Sequence, residues 1–133
     1  KPLKSQIMAK YKHFTYSEFD CKSGVGQGEI FMKDAFIKML DDARIIANTP
    51  FIITSGYRTK EYNAELIKKG YKASPDSSHC KGVAADIKIT NSYTRFKIIQ
   101  ALVMVGFKRI GVAKDFIHCD LDFEKKQNIL WTY

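Results

Sequence analysis

The longest periodic stretch of this chain does most to constrain its fold. Between Lys33 and Ala47, the residues Phe36, Met39, Leu40, Ala43, Ile46 and Ala47 recur at three- and four-residue intervals. That spacing lays apolar side chains along one face of an α-helix. Asn48-Thr49-Pro50 ends it, because proline cannot continue a helix and disfavours helical backbone just before it. A helix with one apolar stripe must bury it against another layer, so the remaining runs have to supply that layer. Phe51-Ile52-Ile53-Thr54 and Val83 to Ile89 read as strands. Lys60 to Lys69 reads as a helix closed by Gly70, and Tyr93 to Val105 as another, capped by Ser92 and ended by Gly106. Phe107 to Val112 and Phe116 to Leu121 flank Lys114-Asp115 as a hairpin. Near the start, Thr15 and Glu18 form a capping-box pattern. Gly24, Gly26 and Gly28 then mark a loop whose spacing is not a nucleotide fingerprint. The expected class is α+β, with helices packed against a small antiparallel sheet.

A chain of 133 residues fits one domain, and 45% hydrophobic content supplies a core. We read 1–133 as that domain, with 1–13 an N-terminal extension and 123–133 a C-terminal tail. No apolar run approaches the roughly 20 residues of a membrane span. Lys and Arg number 22 against 14 Asp and Glu, giving +8. Such a surface attracts polyanions, with anionic envelope polymers among the candidates. Nucleic acid would explain the charge, but no nucleic-acid motif is recognisable. A monomer is expected. The three cysteines, Cys21, Cys80 and Cys119, are an odd number and include no C-x-x-C pair. A complete disulfide framework and a structural zinc knuckle are both disfavoured. Cys80 and Cys119 read as small buried hydrophobes, with a redox-sensitive pair as the other reading.

Chemistry points to few residues. Only three histidines occur. His79 precedes Asp86 by seven positions, in a loop leading into a strand, and His118 sits in the later hairpin, three positions after Asp115. Imidazole nitrogen and carboxylate oxygen are both zinc ligands, and a catalytic zinc site uses three protein ligands and keeps a fourth position open. His79, Asp86 and His118 would supply the three. Alternation along the strand should turn Asp120 toward the His118 side and Cys119 away. Asp115 is then a carboxylate free to move a proton, and Arg58 offers a planar fork for a carboxylate or an oxyanion.

Four segments carry a resemblance: Ser55-Gly56-Tyr57-Arg58-Thr59, Glu61-Tyr62-Asn63, Ser77-Ser78-His79-Cys80-Lys81-Gly82-Val83-Ala84-Ala85-Asp86 and Asp115-Phe116-Ile117-His118-Cys119-Asp120. Together, over roughly residues 14–122, they resemble the zinc D-Ala-D-Ala carboxypeptidase and L-alanyl-D-glutamate endopeptidase family, whose pattern is S-G-x-R, S-x-H-x-x-G-x-A-x-D, then an acid three before a final histidine. The resemblance implies a hedgehog-like fold and one zinc ion. It implies His79, Asp86 and His118 as ligands, Asp115 as catalytic acid/base and Arg58 as stabiliser of the substrate carbonyl. Ser77 matches a substrate-contact position. Asn63 falls in the pattern and is grouped with Ser77 and Arg58 as substrate-binding. Aspartate at 115 is similar to phage endolysin-type members. The implied activity is hydrolysis of an amide in the peptidoglycan stem peptide, at the bacterial cell wall or periplasm. The route there would be phage lysis, a virion or secretion with a signal removed. The alternative is a non-catalytic zinc-containing module that binds cell wall or a partner, since a fold can outlive its activity.

Overall fold

The computed structural model describes residues 10–133. Residues 1–9, most of the segment read as an extension, lie outside the described residues. Within residues 11–13, Tyr11 is buried in the core, and the backbone N–H groups of Lys12 and His13 donate to the Asp41 carboxylate at 3.0 Å.

Among the described residues the first element is a 3-10 turn over Tyr16–Phe19, and the Glu18 carboxylate accepts from the Thr15 N–H at 2.7 Å, as the capping box predicts. The glycine-marked loop then gives way to a short helix, α1 (Gln27–Phe31), that the sequence reading did not anticipate. Four further helical and strand segments agree with expectation to within a few residues: α2 (Asp34–Ala47), α3 (Lys60–Lys68), β2 (Ala84–Lys88) and α4 (Ser92–Val105). Asn91, not Ser92, caps α4, its side-chain oxygen accepting from the Thr94 N–H at 2.8 Å. β1 is Ile53–Ser55, shifted toward the C-terminus of its apolar run, because Phe51 turns into the core instead of pairing. β3 (Arg109–Val112) and β4 (Phe116–Asp120) make the expected hairpin.

With a fifth strand, β5 (Ile129–Thr132), the sheet runs β1-β2-β4-β3-β5, and the first three pairings are antiparallel. The fifth strand corrects the expected all-antiparallel sheet. β5 (Ile129–Thr132), inside the segment read as a tail, joins β3 in parallel, so the sheet is mixed.

Strand alternation sorts the two faces. Ala85, Ile87, Ile110, Ile117 and Cys119 face a core filled by Phe36, Ile37 and Leu40 of α2 and by Ile98, Ala101 and Leu102 of α4. Phe107 closes that core edge-on against Phe36, with ring centroids 5.8 Å apart. The other face carries Asp86, His118, Asp120 and Trp131, away from both helices. Pairing aligns Ser55, Asp86, His118, Gly111 and Trp131 in one rung across all five strands.

Candidate metal centre

That rung sets the site. His79 comes from a second 3-10 turn, Ser78–Lys81, which the Ser77 hydroxyl starts by accepting from the His79 N–H at 3.2 Å. Gly82 ends the turn in the left-handed region, with φ +73°. Its carbonyl accepts from the Lys33 N–H at 2.9 Å, anchoring the turn to the start of α2.

The three expected ligands meet. His79 Nε2 lies 3.2 Å and His118 Nδ1 3.1 Å from the same oxygen, Asp86 Oδ1, and all three donor atoms fall within 4.8 Å of one another. Ligands held about 2.1 Å from a tetrahedral zinc stand roughly 3.4 Å apart, so this donor set fits such an ion.

The outer nitrogens agree with that use. His79 Nδ1 is 2.7 Å from the Gly56 carbonyl. A carbonyl only accepts, so Nδ1 carries the proton and Nε2 keeps its lone pair for the centre. His118 Nε2 is 2.6 Å from Asp120 Oδ2, which in the same way leaves Nδ1 free to coordinate. Asp120 thus acquires the role the sequence left open, and Cys119 points to the opposite, buried face as alternation predicts. Asp120 is in turn held by Arg109 Nε at 2.7 Å and by the Asp122 N–H at 3.0 Å.

Arg58 stands behind Asp86. Its Nε donates to Ser55 Oγ at 3.0 Å, Nη1 to Asn63 Oδ1 at 3.2 Å and Nη2 to Asp86 Oδ2 at 3.3 Å. Three of the five guanidinium donors are therefore used, and Asp86 is left with its other oxygen turned to the histidines. Asn63 braces Arg58 against the following loop by donating to the Ser74 carbonyl at 2.7 Å.

Electrostatics follow from this packing. Burial holds the His79 imidazole below its ordinary pKa, so it stays neutral. Burial pushes the Asp86 carboxyl up, but the pull of the two imidazoles facing its Oδ1 outweighs that and holds it well below the carboxylate range. Burial lowers His118, yet its bonds to Asp120 and Asp86 more than compensate and raise it.

A cleft of about 390 Å³ opens over the centre. His79, Asp86, His118, Arg58 and Ser77 all line it. Trp131, Tyr133, Phe116, Lys72 and Lys125 are among its other lining residues, and no sequence motif marks Trp131, Tyr133, Lys72 or Lys125. Asp115 is not among the lining residues. It is exposed on the hairpin turn, where its carbonyl accepts from the Ile89 N–H at 2.8 Å. Asn63 is buried behind Arg58, not on the cleft wall. The three cysteines are free thiols. Burial pushes Cys119 well above the ordinary thiol value, and Cys80 leans on the Thr59 carbonyl.

In the comparison with protein families, the family described as Peptidase M15 matches residues 12–120. Comparison with curated proteins gives no match.

Proposed function

The chain belongs to the peptidase M15 family, and from that premise we propose that it hydrolyses an amide bond in the peptidoglycan stem peptide with one zinc ion. The bond is D-Ala-D-Ala, cut as a carboxypeptidase, or L-Ala-D-Glu, cut as an endopeptidase. The observation that carries the reading is the convergence of His79, Asp86 and His118 on one point, with each imidazole's outer nitrogen committed to an acceptor.

When bound, zinc would supply Lewis-acid polarisation of the scissile carbonyl and a nucleophilic water near neutral pH. The protein's own groups do the rest. The two unused donors of Arg58 hydrogen-bond the substrate carbonyl oxygen as charge builds on it. Ser77, buried at the cleft wall, offers its hydroxyl proton to the peptide backbone. Asn63 acts behind Arg58, keeping the fork aimed. The proton of the attacking water needs a carrier, and Asp86 and Asp120 are both committed to histidine and arginine partners. Asp115, three residues before His118, takes that role as base and then as acid toward the leaving amine. The cationic surface holds the molecule on anionic envelope polymers at the bacterial cell wall, reached through phage lysis, a virion or secretion.

One observation favours the alternative of a non-catalytic zinc-containing module: Asp115 is exposed outside the cleft lining. One experiment decides between them. Metal content by elemental mass spectrometry, on untagged wild type and His79→Ala, should give about one zinc per chain and almost none. Asp115→Asn should keep the zinc and lose about 10²–10⁴-fold in turnover of purified muropeptides. Zinc without any cleavage by wild type would select the binding module, and no zinc after reconstitution would defeat both readings.

A further inference from the structure

The family match ends at Asp120, so β5 lies outside it. Yet β5 delivers a side chain to the centre. Gly111 pairs with His118 on one side and with Trp131 on the other, and the indole crosses over Gly111 to meet the imidazole, with ring centroids 5.5 Å apart. A Cβ on Gly111 would lie 2.6 Å from the indole, and its three nearest neighbours would all be indole atoms. The Arg109 guanidinium lies over the same indole, 5.1 Å from the centroid, while its Nε holds Asp120, which holds His118. The contacts close into a circuit: Trp131, Arg109, Asp120, His118 and back to Trp131. Tyr133 backs the indole at 6.4 Å between centroids.

A hydrogen bond at Nε2 fixes one point of an imidazole and leaves the ring free to pivot about it. A ring packed against its side removes that freedom. We propose that Trp131 is a positioning residue for the metal centre: from a strand beyond the family-matched segment, its indole fixes the plane of His118 so that Nδ1 stays aimed at Asp86 and His79. The inference rests on the zinc reading above and does not depend on which substrate is cut.

Trp131 is the chain's single tryptophan, so indole emission reports on its surroundings alone. The test titrates zinc chloride into the metal-stripped full chain, following indole emission and measuring affinity by competition with a chromophoric chelator. Zinc should change the wild-type emission. Trp131→Ala and Gly111→Ala should each weaken zinc about tenfold or more, the usual cost of losing support behind a ligand, with far-UV circular dichroism unchanged. Trp131→Phe, which keeps a flat ring, should retain most of the affinity. The double variant should be no worse than Trp131→Ala, because the atoms nearest the added methyl all belong to the indole. In muropeptide hydrolysis the loss should fall on kcat and not on KM. Unchanged zinc affinity in both single variants would overturn the proposal. So would a loss in Trp131→Ala with none in Gly111→Ala, since bulk at the sheet edge would then matter and ring placement would not. Should Trp131→Ala fail to fold, Gly111→Ala decides alone. Tight zinc with no peptide cleaved would sink the peptidase reading and leave this one standing; no zinc on wild type would sink both.

Discussion

Replacing Arg58 by lysine tests what a fork does that a point charge cannot. The guanidinium reaches Ser55, Asn63 and Asp86 at once, and an ammonium on a flexible stem cannot reproduce three fixed directions. Arg58→Lys should keep most of the zinc and lose about 10²–10³-fold in kcat, the usual cost of one oxyanion donor. Equal activity would show that Arg58 only shapes the turn. Gly82 has a structural role. Its φ is +73° and an added Cβ would lie 2.0 Å from the Phe31 carbonyl oxygen. Gly82→Ala should cost at least about 1–2 kcal/mol from the backbone alone, read as a lower urea midpoint of the metal-free chain. Asp122 links protonation to stability. Burial pushes its carboxyl up, but hydrogen bonds from Ser78 and Lys81 outweigh that, so it titrates below its ordinary value. A carboxyl lowered on folding adds stability above its unfolded pKa of about 4, and that stability is lost as pH falls through the lower folded value. Asp122→Asn should therefore flatten the fall of Tm with acid below about pH 4. An unaltered acid limb would assign the effect to other carboxylates.

Among the elements, α2 supports the site from a distance. Phe36 is fully buried between α4 and the sheet. Phe36→Ala should cost about 3–5 kcal/mol of stability while zinc affinity in the folded fraction holds, which denaturation with and without metal separates. How much of such an element can be read beforehand depends on what determines it. The burial of Phe36, Leu40, Ala43 and Ala47 was legible because a 3.6-residue period is local. The period was blurred at its edges, since Ile46 is half exposed and Ile37 is buried. The three candidate ligands were legible because each lies in a short motif. β5 was not: four residues with alternate burial gain a partner only once β3 exists. Arg109 and Trp131 were missed for the same reason, because their link to His118 runs across strands and leaves no spacing in the sequence. Asp115 shows the converse. Its motif position was plain, while its exposure follows from how the hairpin turns.

For the whole molecule, the excess of Lys and Arg gives +8. Raising salt from about 0.1 to about 1 M shortens the screening length from about 10 to about 3 Å. Binding to isolated anionic walls should fall steeply over that range, while cleavage of a small soluble muropeptide should change little. Parallel losses would mean that salt acts on the cleft and not on attraction to the wall.

The rung through Ser55, Asp86, His118, Gly111 and Trp131 draws on every strand, and its central pair is separated by 32 residues in sequence. His79 and Asp86 share one short segment, but His118 reaches them only through strand pairing, so a chain that has lost its long-range pairing cannot complete the candidate site. On the zinc reading, capture of the metal and acquisition of the native topology are therefore linked. The folding midpoint should climb with the logarithm of free zinc, and a chelator should act as a denaturant whose strength is set by mass action.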